Sequence, residues 1–315
     1  MRDFNIDFNK TFKPIVIVYA IIFIAGIIVA AVFGVNLDIN FSGGTKISYS
    51  YTGDIAESDF KAAVEENLDS SFTLTQSTSL AGDTKTYDIS LVGKNALSAE
   101  NQEKLYAALS EKFKDNDIKL YNSNSVSASM AGSFFVKSLV AVVITAVFVV
   151  IYVGIRFRKI GGVSAALTAL AALVFDVFIV FFTCVFFRLQ IDLNFVAVIL
   201  TMLGYSLNDT IVIYDRIREN RNLNPDMEIG DLINLSINNV LVRNIVTTVT
   251  TILAVVTIII VSELYGLTTL RTFAIPMAFG LVSGCISSVF VSGPLWVIWK
   301  RYKANKVSNK AKKTA

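Results

Sequence analysis

The sequence has no histidine, two cysteines and four prolines in 315 residues. Without histidine it lacks the commonest metal ligand and the one side chain that ordinarily titrates near neutral pH. Cys184 and Cys285 both lie inside long apolar runs and form no CxxC pair, so no disulfide framework is expected. No metal or other cofactor is expected either. Net charge is only +3, and no basic groove is interleaved with aromatics, which argues against nucleic acid as a partner. Paired carboxylates, a serine–base arrangement and a phosphate loop are all missing from the polar part of the chain, so enzyme chemistry is not expected.

Charge is also missing, over long stretches. Apolar residues make up 54% of the chain and come in blocks long enough to cross a bilayer, whose ~30 Å core takes about 20 helical residues. These blocks predict six transmembrane helices at 14–35, 134–155, 162–187, 193–214, 245–264 and 272–299. The first follows Arg2, Lys10 and Lys13, as a signal peptide would. Its 22 apolar residues exceed the ~7–15 of a signal core, so a retained anchor is expected.

Lysine and arginine mark the cytoplasmic side of short loops. Segments 1–13, 156–161, 215–244 and 300–315 hold 17 of the 28 basic residues, whereas residues 36–133 hold eight lysines and 14 acids. This predicts a cytoplasmic N-terminus (1–13), a basic cytoplasmic tail (300–315) and an extracytoplasmic domain at 36–133 in the cell membrane. Within 215–244, Ile229, Leu232, Ile233, Ile237, Val240 and Leu241 recur at helical spacing, which predicts an amphipathic connection on the cytoplasmic interface.

Residues 36–133 alternate between strand and helix signals. Thr45–Tyr51, Phe72–Ser79 and Thr84–Val92 read as strands, with a Gly82-Asp83 turn between the last two. Phe60, Val64 and Leu68 mark one helix; Leu105, Leu109 and Phe113 mark another, capped by Ser98. A final strand begins at Ile118. The resulting β-α-β-β-α-β order predicts an α+β ferredoxin-like domain.

Ionisable groups inside a bilayer cost roughly 2.5–3.5 kcal/mol on insertion scales. Asp176 and Asp209 are therefore the chief candidate site residues. Asp209 stands in Gly204-Tyr205-Ser206-Leu207-Asn208-Asp209-Thr210, a small and polar cluster in an otherwise greasy span. A proton path is one reading, with Ser206, Asn208, Thr210 and Thr247 in support. An inter-helix hydrogen bond is the other, and for Asp176 the two explain the residue equally. Arg243 reads as a counter-charge for Asp209 or as a plain interfacial arginine. Asp215, Arg216, Arg218 and Glu219 read as a solvated turn. Gly204, Gly280 and Gly284 are candidates for close helix packing.

Together these motifs resemble the SecF family, in the SecDF branch of the resistance–nodulation–division (RND) superfamily, over nearly the whole chain. The strongest stretch is GYSLNDTIVIYDRIREN at 204–220, followed by SINNVLVRNIVTTVTT at 236–251. Tyr152, Arg156 and Phe157, then Asp176-Val177, NLDINFSGGT at 36–45 and GLVSGCISS at 280–288 add to it. The chain departs from the family pattern at Phe175, where histidine is common, at Asp38 and Asn40, where glycine and aspartate are usual, and at Asn244, where threonine is usual. The resemblance implies an RND half-transporter fold paired with SecD. It also implies the SecYEG channel, the SecA motor, an unfolded translocating polypeptide and membrane lipid as partners. It places Asp209 and Arg243 on proton-pathway positions, so that proton flow would drive movement of the extracytoplasmic domain during Sec-dependent translocation. A small-molecule or lipid exporter of the same superfamily and a passive translocon scaffold are the rival expectations.

Overall fold

A computed structural model describes residues 6–68, 71–78, 85–93 and 97–314. In chain order the elements begin with α1 (Phe8–Phe33), a short α2 (Ile39–Ser42) and β1 (Gly44–Tyr51). Next come α3 (Glu57–Asn67), β2 (Thr73–Thr78), β3 (Lys85–Val92), α4 (Ala99–Lys112) and β4 (Lys119–Val126). The chain then runs through α5 (Ala128–Arg156), α6 (Gly162–Phe186), α7 (Leu193–Leu223), α8 (Ile229–Leu264), α9 (Thr268–Ser287) and α10 (Gly293–Thr314). A π turn, Ser288–Ser292, joins the last two into one long rod. Six helices are long and apolar enough to cross a membrane, and the chain is a multi-pass membrane protein.

The strands form one antiparallel sheet in the order β2-β3-β1-β4. Alternation along β1 turns Ile47, Tyr49 and Tyr51 to one face, where they are buried with Tyr87 and Ile89 of β3 under α3 and α4. Phe60 of α3 stacks on Tyr87 at 4.3 Å, which ties that helix to the centre of the sheet. The Ser98 hydroxyl accepts from Asn101 N and caps α4, as its sequence predicts. The Gly82-Asp83 turn lies outside the described residues.

The helices make two layers. α6, α7 and α9 lie inside, and α1, α5 and α8 lie outside: 67% of the apolar window running through α9 is buried, against 11% for α1 and α5. The outer helices turn Ile21, Ile24, Phe148 and Leu253 outward, as a lipid-facing surface requires.

The predicted boundaries move in four places. α1 starts before Pro14, because the Asp7 carboxylate caps it and Asn234 and Asn238 of α8 bind the backbone of Phe8 and Ile6. α7 runs past residue 214 to Leu223, since nothing in Asp215–Arg221 breaks a helix. The amphipathic stretch expected as a separate interfacial connection at 215–244 is instead the first four turns of α8. Its apolar residues Leu232, Ile233 and Ile237 are fully buried against the chain's own helices. The sixth span carries the π turn and continues as α10 into the basic tail.

Candidate functional site

α6 carries Asp176 on its inner face, level with α9, and the carboxylate is buried. Three hydroxyls hold it. Ser283 Oγ donates to Oδ1 at 2.6 Å, while Ser206 Oγ and Ser287 Oγ donate to Oδ2 at 2.7 and 2.9 Å. Ser283 and Ser287 lie one turn apart on α9 and so share a face. With its hydrogen directed at Asp176, Ser283 Oγ is left to accept from the Tyr19 hydroxyl of α1, 3.1 Å away. Four helices therefore converge on one carboxylate. Phe175 carries no part of this network; its ring packs on Tyr19 and Phe23 at 5.2 and 5.7 Å.

The close approach of α9 depends on two glycines. A Cβ at Gly280 would lie 2.9 Å from Val180 Cγ2, and one at Gly284 would lie 3.1 Å from Ser206 Cβ. Gly204, expected to serve the same purpose, faces open space, with nothing within 4 Å of a Cβ placed there.

Asp209 lies one turn below Ser206 on α7 and is only 2% exposed. Its surroundings are unlike those of Asp176. Asp209 Oδ2, Asn244 Nδ2 and Thr248 Oγ1 are all buried without a hydrogen-bond partner among the described residues. Thr248 of α8 and Cys285 of α9 neighbour the Asp209 carboxylate. Arg243 acts on Asp209 electrostatically. It stands exposed on α8 and makes no ion pair among the described residues, so the predicted counter-charge is near the acid but not bound to it.

Thr210 is buried and meets Ser288 of the π turn at 3.0 Å. Ser288 Oγ also reaches the Ser206 carbonyl at 3.2 Å. Farther along, the Tyr214 hydroxyl meets Thr168 at 2.9 Å, so a seam of hydroxyls follows α7 away from the two acids. Asn208 and Thr247 are exposed. With Thr201 and Gly204 on α7, and Arg243 and Thr250 on α8, they form a polar stripe on the outer surface of the bundle.

Asp215 is no free turn residue: it pairs with Arg156 and Arg218, each at 3.0 Å. Asp192 caps α7 by accepting from Asn194 N and Phe195 N at 2.9 and 3.2 Å. Burial pushes its carboxyl upward against the pull of those donors, and the neighbouring Asp38 carboxylate adds to the rise. Sequence reasoning assigned no site role to Tyr19, Ser283 or Ser287, and marked Asn244 and Thr248 only as part of the motif that follows Arg243. The Gly-Ser repeat at one-turn spacing in 280–288 was the available signal for the two serines.

Residues 105–302 match the family described as protein export membrane protein SecD/SecF, C-terminal. The chain is 33% identical to the protein translocase subunit SecF of Alicyclobacillus acidocaldarius over 291 residues, covering 90% of each chain. It is also 33% identical to SecF of Petrotoga mobilis, covering 96% of this chain and 99% of the other. It is 31% identical to the protein translocase subunit SecDF of Bacillus subtilis, covering 96% of this chain and spanning only 39% of that longer protein. Among solved structures, SecDF of Thermus thermophilus, a translocon-associated membrane protein, superposes with a TM-score of 0.78 at 25% identity over 95% of this chain and 39% of the other.

Proposed function

The chain belongs to the SecD/SecF family of protein-export membrane proteins, and we propose that it is the SecF-type subunit of a SecDF complex that couples proton flow to Sec-dependent translocation. One observation carries the coupling. Asp209 is a buried carboxylate whose Oδ2 has no hydrogen-bond donor among the described residues, beside two polar groups, Asn244 Nδ2 and Thr248 Oγ1, that are likewise without a partner. A group so placed gains or loses a proton without first breaking a hydrogen-bond cage. Asp176, held by three hydroxyls, must break such a cage to titrate. It joins the pathway through Ser206, one turn from Asp209, with Thr210 continuing the hydroxyl seam.

The exposed polar stripe supports a SecD-like partner. Arg243, Asn208, Thr247 and Thr250 are costly against acyl chains and need a protein or water-filled neighbour. The B. subtilis relative, with SecDF in one chain, supports the same pairing. The charge asymmetry supports cytoplasmic termini in the cell membrane and an extracytoplasmic 36–133, and the strand order with α3 and α4 on one face suits a ferredoxin-like unit. By family, the SecYEG channel, SecA and the unfolded exported polypeptide are the working partners.

Protonation neutralises Asp209 and removes its attraction to Arg243, so the two helices re-pack against the partner and the sheet unit moves while it holds substrate. One charge crossing 100 mV releases about 2.3 kcal/mol, enough to bias a two-state movement roughly fiftyfold. The test measures protein export and proton flux together in an assembled complex carrying Asp209→Asn. Both are expected to collapse. Wild-type levels of both would leave a passive scaffold as the surviving reading.

A further inference from the structure

At the end of the bundle that carries Arg158 and Lys300, the helix ends border an open cavity of about 670 Å³. Arg158, Lys159, Arg221, Lys300 and Arg301 line it against a single acid, Glu228. Glu228 is already paired with Arg301 at 3.1 Å. Arg221 donates to the Met227 carbonyl at 2.9 Å. Arg158, Lys159 and Lys300 pair with no acid among the described residues. Gly161, in the left-handed region at φ 107, brings the start of α6 so close that a Cβ there would run into the Lys300 ammonium. Burial, with Lys303 and Arg221 nearby, pushes that ammonium below its usual range. Positive charges are thus gathered around one space, with their one nearby acid already engaged.

The rest of the wall is apolar. Ile160, Ile229 and Ala304 contribute accessible surface to it, with Ile217, Leu232 and Trp296 buried behind them, and the Lys300 ammonium lies 5.3 Å above the Trp296 ring. Trp299 and Tyr302 stand exposed on the same stretch of helix, the residue types that collect at a membrane interface. A second cavity of about 560 Å³ shares Arg158 and Lys159 and adds Arg156 and Arg218. A hydrophilic anion would satisfy the charges and leave the aliphatic wall unused, whereas an amphipathic anion satisfies both.

We propose that this cavity is a binding site for the phosphodiester headgroup of an anionic phospholipid, held by Lys159, Lys300 and Arg158 with its glycerol end against Ile160, Ile229 and Ala304. A bound anion relieves the repulsion among the turn before α6, α7 and α10, so lipid occupancy steadies this end of the bundle.

The test uses the full chain extracted from phosphatidylcholine bilayers with and without phosphatidylglycerol, with native mass spectrometry to count retained lipid. Wild-type protein is expected to retain phosphatidylglycerol about tenfold or more over phosphatidylcholine. Lys159→Gln, at an exposed position where packing is not at stake, and Lys300→Gln are each expected to lose that preference. The Lys159→Arg/Lys300→Arg pair is expected to keep it, as are Lys10→Gln and Lys13→Gln, each of which removes one charge elsewhere. Retention unchanged in both glutamine variants would overturn the site. So would equal loss in the Lys10 and Lys13 controls, which would mean bulk charge attraction. Displacement of the lipid by excess inorganic phosphate would overturn the lipid reading in favour of a free phosphate anion.

Discussion

Asp176 and Asp209 are both buried on neighbouring helices, yet their oxygens are differently supplied. Removing a donor from Asp176 leaves a carboxylate partly uncompensated in the core. Ser283→Ala and Ser287→Ala are each expected to cost about 1–3 kcal/mol of stability, read from unfolding in detergent. Asp209→Asn breaks no bond to Oδ2 among the described residues and should cost less stability than either serine change, although the proton is assigned to that residue. A large loss of stability in Asp209→Asn would show that this oxygen has a structural partner. The sequence marked both acids as exceptional, because a charge in an apolar run stands out in any window. It left the difference between them open. Ser283 and Ser287 lie 107 and 111 residues from Asp176, and no local pattern says which helix faces which.

At the scale of elements, the three glycines separate internal packing from a free surface. Gly284→Leu pushes a side chain into Ser206, where a Cβ alone already lies 3.1 Å from Ser206 Cβ. Overpacking there should cost about 1–3 kcal/mol. Gly204→Leu meets nothing in this chain. It is expected to leave the melting temperature of the isolated chain unchanged and to weaken co-purification with a SecD-like partner. Retained pairing in Gly204→Leu would remove α7 from that interface. The strands and helices of residues 36–133 were legible, because alternation and one-turn spacing report directly on a buried face. Ile47, Phe60 and Leu109 are buried as those patterns require. The first half of α8 was not. Periodicity shows that Leu232, Ile233 and Ile237 share an apolar face, but it is silent on whether lipid or protein covers it. Here the chain's own core does.

For the molecule as a whole, the six spans followed from length and apolarity alone, since a bilayer imposes both. The exposed stripe from Asn208 to Arg243 is what a single chain's sequence could not resolve, because polar residues in a span read alike whether they face inward or face a second subunit. With that stripe beside an acid whose Oδ2 lacks a donor among the described residues, the proposed switch would lie next to the proposed join with a SecD-like partner. The switch itself is the most direct thing to measure. Infrared difference spectra of the assembled complex, recorded with and without an imposed proton gradient, report carboxyl protonation. A protonated carboxyl band that changes with the gradient and is absent from Asp209→Asn is the expected result. A spectrum in which Asp209→Asn and wild type give the same gradient-dependent change would contradict it.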